Sequence, residues 1–384
     1  MQQTKQKILV ISHEATLTGA PILLLNLLQC LYNYFEFTIV LKRGGDVEKE
    51  FEQLGKTYIL KHTNYSKEQN IFIKIFDRII YFFKQIQIII PYLQCNVVLS
   101  NTVCNGRLLK RFSIFRKPIL LYVHELESMI QYFNKYKDAQ FSLRLAQVIF
   151  YPSIAVQNNL IQQHKVAIDK TTHLPYYFPK ENFKHFANEK LFYRNFFLEQ
   201  YSIPQQAFLV VGMGMVSERK GTHHFIEVAL ETTQLNPNIY FVWVGDFNQE
   251  NYAQHIKNKF FDNHASKQII FTGKLPYSTT NLLPFDLFFL SSIEDPYPLV
   301  VLEAAYQNVP TICYNNSGGI VEFIGSEYGF AIEKLSIQQT TKKVLEIAQQ
   351  PFLLKEISKK LKERVITLHS NQDLIQSTFM NSLL

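Results

Sequence analysis

Short apolar runs recur along the chain, each about four to six residues long and each ended by polar, glycine or proline residues. Runs of that length with no alternation read as strands covered on both faces, the pattern of a parallel sheet. The first series falls at residues 7–12, 37–42, 57–61, 96–100, 119–123 and 147–151, with helical patterns at 22–31, 46–54 and 155–163. A second series falls at 207–211, 239–244, 269–272, 287–290 and 311–314, with a short strand near Phe330, a helix at 222–230 and further helices from Ile337. Strand and helix alternating in this way predict an α/β protein. Between the two series lies a proline-bounded joint, Leu174-Pro-Tyr-Tyr-Phe-Pro179, and then a polar stretch to Gln206 that reads as a connector. Two α/β domains are expected, at 1–175 and 190–350, followed by a basic helical segment at 351–384 that carries Lys359, Lys360, Lys362 and Arg364.

Residues 71–90 form the most apolar stretch, yet Lys74, Asp77, Arg78, Tyr81, Lys84 and Gln85 recur along one helical face. That stripe rejects a transmembrane span. A helix packed on its sheet is favoured over one lying on an anionic bilayer, which the same face would also suit. The length of 384 residues exceeds what one core holds, and 47% apolar with 18% charged residues describes a globular chain rather than a disordered one. A net charge of +7 suits a phosphate-bearing substrate or an anionic membrane surface, and its sign alone does not choose between these and nucleic acid. Cys30, Cys95, Cys104 and Cys313 form no Cys-x-x-Cys pair and have no nearby histidines, which argues against a disulfide framework and a zinc site. A reducing cytoplasm fits, and the six-residue apolar core near the N-terminus is too short for a signal peptide.

Three strand-to-helix junctions carry candidate chemistry. The first presents Gly19-Ala20-Pro21 ahead of a helix, where glycine permits close approach of a phosphate and proline suits the first helical turn. The second reads Gly212-Met-Gly214-Met215-Val216-Ser217-Glu218-Arg219-Lys220-Gly221. Ser217 occupies the third glycine position of a dinucleotide fingerprint, so a nicotinamide-dependent oxidoreductase is disfavoured, and there is no Walker A sequence. A lysine at such a mouth would offset phosphate charge. The third junction is the densest: a buried strand empties into Ser291-Ser292, acids follow at Glu294 and Asp295, and Pro298 with Leu299 opens a helix bearing Glu303. The strand at 311–314 then leads through Asn315-Asn316-Ser317-Gly318-Gly319 into another helical start, which would aim backbone N–H groups at an anion. His124 leaves the carboxyl end of the strand at 119–123, where open α/β sheets bind ligands.

The stretch DPYPLVVLEA, with Gly318-Gly319 and Glu322 downstream, resembles the nucleotide-sugar site of family 4 retaining glycosyltransferases (glycosyltransferase group 1) with the GT-B fold. In that family an acid, seven residues and a glutamate form the pattern, and Asp295 and Glu303 hold those positions. The usual first member is glutamate; here it is aspartate with Glu294 adjoining, and spacing selects Asp295. Lys220 matches the family's phosphate-binding lysine, while Met215 stands where an arginine is usual and Arg219 adjoins the lysine as a candidate substitute. The resemblance implies two facing Rossmann-like domains with the active site in their cleft and a terminal segment crossing back to the first domain. It implies Asp295 on sugar hydroxyls, Glu303 on ribose, and Lys220, Arg219, Gly318 and Gly319 on the diphosphate. It also places Gly273 and Lys274 by the base, Pro298 and Leu299 along the donor, and Gly19 and His124 across from it.

The activity so implied moves a sugar from a nucleotide-diphosphate donor to a saccharide, lipid-linked or protein acceptor, with retention of configuration and no cofactor. No Asp-x-Asp occurs, which disfavours a metal-bridged diphosphate. The setting implied is cytoplasmic, with peripheral contact to the inner membrane face and no nucleic-acid partner. A non-catalytic GT-B subunit that binds nucleotide-sugar and supports a partner enzyme is the alternative.

Overall fold

The computed structural model describes residues 5–61, 80–179, 189–247, 250–256, 258, 260, 267–275 and 282–383. They divide into two compact units, Met1–Phe178 with Asn371–Leu384, and Pro179–Ser370. In the first unit, β1 (Gln6–Ser12), β2 (Phe35–Leu41), β3 (Gly55–Ile59), β4 (Val97–Asn101), β5 (Ile119–Tyr122), β6 (Val148–Tyr151) and β7 (Thr171–His173) form one sheet in the order β3-β2-β1-β4-β5-β6-β7. In the second, β8 (Phe208–Met213), β9 (Ile239–Val244), β10 (Ile269–Gly273), β11 (Leu287–Leu290), β12 (Thr311–Tyr314) and β13 (Phe330–Ile332) are ordered β10-β9-β8-β11-β12-β13. All paired neighbours run parallel. Helices cover the sheets, and the strands' buried faces form the cores around Leu9, Leu121 and Ile149 in one unit and Val210, Phe241 and Phe289 in the other. In both sheets the strand order reverses once, beside β1 and beside β8, leaving loops that diverge at the carboxyl ends of β1 and β4, and of β8 and β11.

The α/β expectation and the strand series hold, with three local differences. β7 was not expected, because Thr171-Thr172-His173 has no apolar residue; it is an edge strand held by backbone pairing to β6. The stretch expected as a connector contains a helix, Lys190–Gln200, which buries Phe197 and Leu198. The terminal segment divides rather than returning whole from 351: the helix Pro351–His369 stays with the second unit, where its Ile357, Leu361 and Val365 stripe is buried and His369 bonds Tyr297 at 3.0 Å. Only from Asn371 does the chain rejoin the first unit. There Phe379 stands 5.7 Å from the rings of both Phe35 and Phe150, and Gln376 donates to the Cys30 carbonyl at 2.7 Å.

Of the apolar stretch at 71–90, residues up to 79 lie outside the described ones. The remainder is two-sided. Tyr81 and Ile88 pack on the first core while Phe82, Phe83, Ile86 and Ile90 are exposed. Among the described residues no helix is long and apolar enough to cross a membrane.

Candidate active site

The reversal in the second sheet sets the loop after β8 beside the loop after β11, and two glycines fix how closely they approach. Gly221 has φ +63°, and a Cβ there would lie 1.9 Å from the Ser291 carbonyl oxygen. Gly214, at φ +141°, leaves room for the methylenes of Lys220, which a Cβ would meet at 3.2–3.5 Å. Both positions favour glycine on backbone grounds as well. Ser291 Oγ then donates to the Lys220 carbonyl at 3.0 Å, and Ile293 N–H to the Arg219 carbonyl at 2.9 Å. So held, Lys220 Nζ reaches Asp295 Oδ2 at 2.6 Å, with Arg219 Nη1 3.9 Å from the same oxygen and 2.9 Å from the Glu294 carbonyl. Ser292 Oγ donates to that carboxylate at 3.4 Å. The Lys220 and Asp295 side chains are only 17% and 7% exposed, so their mutual charge is weakly screened by water.

Of the two adjacent acids, Asp295 places its carboxylate on Lys220, and Glu294 gives its main-chain carbonyl to Arg219. Arg219 thus lies beside Lys220 at the same carboxylate, although it is displaced in sequence from the position that Met215 occupies. The Gly318-Gly319 loop is stitched to this point: Asp295 N–H donates to the Ser317 carbonyl at 2.6 Å and Gly319 N–H to the Pro296 carbonyl at 3.0 Å. Gly318 takes φ +138° as it passes Asp295. The expected anion cradle is therefore smaller than the sequence suggests, since Gly319 N–H is already committed and the helix it opens, Ile320–Ile324, is five residues long.

Pro298 caps the helix Leu299–Tyr306, which carries Glu303 one turn in. Surrounding protein desolvates the Glu303 carboxyl and raises its pKa from the ordinary 4.5 to about 7. No described residue bonds that carboxyl. At the far side of β8, Gly273 takes φ +69° and Lys274 N–H donates to Asp246 Oδ1 at 2.8 Å, so the Lys274 backbone is anchored. Its place is the carboxyl end of β10, two strands from β8 in the same sheet.

The first unit presents its candidates differently. Gly19 opens the helix Gly19–Leu31, and the Thr18 hydroxyl that would cap it bonds Glu14 instead. Glu14 is pulled down to about 2, by its His13 hydrogen bond first and by Thr16 and Thr18 besides. His124 is held on both ring nitrogens, Nε2 at 2.7 Å from Asn101 Oδ1 and Nδ1 at 3.1 Å from Tyr176 Oη. Because Asn101 Nδ2 donates to the Ala20 carbonyl at 3.0 Å, its Oδ1 faces the ring as acceptor; Nε2 carries the proton and Nδ1 accepts from tyrosine. Burial first, and the nearby His13, lower His124 to about 3, so it is neutral at physiological pH.

Asn101 and Tyr176 are residues the sequence reading passed over, and Ser292 it gave no role. For Asn101 a signal existed, an amide that directly follows the apolar run at 96–100, and the structure buries it wholly. Among the described residues no group of three or more His, Cys, Asp or Glu side chains is arranged to hold a metal.

Residues 194–365, within the second unit, match the family described as glycosyl transferases group 1. The chain is 27% identical over 211 residues to the alpha-galactosylglucosyldiacylglycerol synthase of Streptococcus pneumoniae, covering 54% of this chain and 53% of that protein. It is 26% identical to the processive diacylglycerol alpha-glucosyltransferase of Acholeplasma laidlawii, covering 52% and 60% respectively. The chain thus spans about half the length of the curated relatives it matches. Among solved structures, HepE of Anabaena in complex with UDP-glucose superposes with TM-score 0.79 at 16% identity, covering 98% of this chain and 99% of that one. WaaG, a glycosyltransferase involved in lipopolysaccharide biosynthesis, gives 0.68 at 12% identity, covering 96% and 98%. At such identities the likeness shows the fold, which is GT-B.

Proposed function

We propose that the chain transfers a sugar from a nucleotide-diphosphate donor to a hydroxyl acceptor with retention of anomeric configuration, in cell-surface polysaccharide or glycoconjugate synthesis. The observation that carries this reading is the Lys220–Asp295 pair with Arg219 at the strand reversal of the second sheet. The ammonium keeps two further N–H donors and the guanidinium several more, enough to take phosphate oxygens while Asp295 remains paired. As the glycosidic bond breaks, negative charge grows on the leaving diphosphate; cations already fixed there stabilise it without reorganisation. Asp295 is assigned to sugar hydroxyls and to the positive charge on the sugar, and the unbonded Glu303 to ribose hydroxyls. Pro298, Leu299 and Gly318-Gly319 line the donor in this reading, and the Gly273-Lys274 backbone meets the base. In the first unit His124, neutral with Nδ1 and Nε2 both engaged, holds Asn101 and Tyr176 together and is not a proton carrier.

Fixed cations in place of a metal make the proposed reaction independent of divalent ions, so activity should survive excess EDTA. The acceptor is a saccharide, a lipid-linked molecule or a protein. The exposed Phe82, Phe83, Ile86 and Ile90 support a peripheral setting on the inner face of the membrane.

The decisive experiment is a thermal-shift panel of UDP-, GDP- and ADP-sugars, since a bound donor raises stability with ln(1 + [L]/Kd). The donor found is then followed by NMR to read the anomeric configuration of the product. Binding without hydrolysis or transfer by the pure protein would replace the enzyme with a nucleotide-sugar-binding subunit that supports a partner. No shift with any donor would overturn both.

A further inference from the structure

The second unit carries a cavity of about 670 Å³ at the opposite edge of its sheet from the candidate active site. Phe208 opens β8, and Asp286 and Pro310 directly precede β11 and β12, so these lining residues stand at the strands' amino ends. At about 3.3 Å per residue along a strand of six, the two edges lie roughly 20 Å apart.

Four cations, Lys190, Arg194, Lys355 and Lys359, and one acid, Asp286, line the cavity. The acid is already spent. Asp286 takes Arg194 Nη1 at 3.0 and 3.1 Å and the Leu209 N–H at 2.9 Å, while Arg194 also donates to the Pro284 and Ala207 carbonyls at 2.6 and 2.7 Å. That clamp fastens the Lys190–Gln200 helix to the sheet edge. The ammonium groups of Lys190, Lys355 and Lys359 have neither an ion-pair nor a hydrogen-bond partner among the described residues. Lys190 is partly buried, and burial first, with the Arg194 charge, holds its ammonium below the ordinary range against the pull of Asp286. A desolvated cation whose neighbouring acid is already shared with Arg194 costs stability, which an arriving anion would recover.

A second feature points the same way. The 19-residue helix Pro351–His369 begins at the cavity, with Pro351, Leu354 and Lys355 on its wall, no side-chain cap from Gln350 and no acid in the first turn. Its uncapped N–H groups add positive potential to that of the lysines. Phe208, Ala348 and Leu354 supply an apolar wall opposite in character. The volume lies within the range of about 300–1,000 Å³ typical of small-molecule sites, larger than an inorganic anion needs.

We propose that this cavity is a second ligand site, which takes a small phosphate ester: phosphate on Lys190, Lys355, Lys359 and the helix start, organic body against Phe208 and Leu354. It shares no residue with the donor site and does not depend on the transfer reading. A free phosphorylated metabolite and a lipid headgroup share this chemistry. Titration calorimetry of the full chain with glycerol 3-phosphate and with monomeric dihexanoyl phosphatidic acid separates them: binding of the first assigns a free ester, and binding of the second alone assigns a lipid headgroup.

Either probe should bind the Lys220→Ala protein as it binds wild type. Lys355→Glu with Lys359→Glu, both at exposed positions that leave folding intact, should weaken it by about tenfold or more. Lys190→Met should weaken it similarly while leaving the melting temperature unchanged or raised, because an unpaired ammonium is removed. The proposal is overturned if neither probe binds Lys220→Ala, or if both bind the Lys355→Glu/Lys359→Glu protein undiminished.

Discussion

The two sheets reverse strand order in the same way, yet the polar groups at their reversals are in opposite states. In the first unit His124 and Glu14 are satisfied internally: Asn101 locks His124, Tyr176 holds its other nitrogen, and Glu14 is tied to His13, Thr16 and Thr18. In the second, a cation pair shares one carboxylate, with donor capacity left over, and Glu303 has no bonding partner among the described residues. A closed network positions loops, whereas an incompletely satisfied one invites a ligand to complete it. Under the proposed function, the donor falls to the second unit and a holding role to these groups of the first.

The sharpest way to break that contrast is Asp295→Asn. If Asp295 meets the sugar and its developing charge, the variant should lose about 100-fold or more in turnover while nucleoside-diphosphate affinity stays within about threefold. Steady-state rates and calorimetry on one preparation give both values. A parallel fall in diphosphate affinity would move Asp295 from the sugar to the phosphate-binding apparatus.

Lys220→Ala comes next. Loss of its contact should weaken nucleoside-diphosphate binding by roughly 1.5–3 kcal/mol and leave nucleoside binding alone. The same change strips the nearest cation from a 95% buried aspartate, so the melting temperature should fall too. Equal diphosphate affinities in variant and wild type would remove Lys220 from the site, whatever happens to stability.

What the sequence disclosed here, and what it did not, follows from locality. Apolar runs of four to six residues revealed the strands, because burial on both faces leaves a pattern within each run. β7 was hidden because Thr171-Thr172-His173 is held by its neighbour's backbone and has no apolar signature. The Lys190–Gln200 helix was missed because its apolar residues do not keep to one face: Leu191, Phe192 and Phe196 are exposed while Phe197 and Leu198 are buried. Lys220 and Asp295 were each chosen from local spacing, but their 2.6 Å contact joins residues 75 positions apart. It depends on β11 pairing with β8, which no local pattern encodes. The tautomer of His124 was likewise out of reach, since Tyr176 lies 52 positions away.

Glu303 allows a test by pH. Its folded pKa of about 7 stands above the ordinary 4.5, so between those values the folded state binds more protons than the unfolded one and stability falls as pH rises. Below about 4.5 the penalty is absent; above about 7 it is complete. Glu303→Gln removes the dependence, so its stability relative to wild type should grow from pH 5 to pH 8 by on the order of 1–3 kcal/mol. Denaturant melts at both pH values measure it. The variant should nevertheless bind nucleoside diphosphate more weakly, because an acceptor for ribose hydroxyls is lost. A variant that gains stability at high pH and also keeps full affinity would leave Glu303 as a strained core acid with no place in the donor site.

The smallest expected effect belongs to Glu294, and it checks the register of the whole motif. Glu294 and Asp295 are adjacent, so a shift of one residue would exchange their roles. Three observations set the present register. Asp295 lies eight positions before Glu303, its carboxylate meets Lys220, and its N–H pairs with Ser317 so that the side chain is fixed on the side of the cations. Pro296 further restricts the backbone of Asp295 toward extended geometry. Glu294 accepts from Arg219 Nη1 at its carbonyl oxygen, a contact that survives any side-chain change. Glu294→Gln should therefore alter turnover by less than about threefold, within what a change of one partly exposed charge produces. Side-by-side rates for Glu294→Gln and Asp295→Asn decide the matter. If the first abolishes transfer and the second is tolerated, Asp295 serves only to seat Lys220, and the acid that faces the sugar is Glu294.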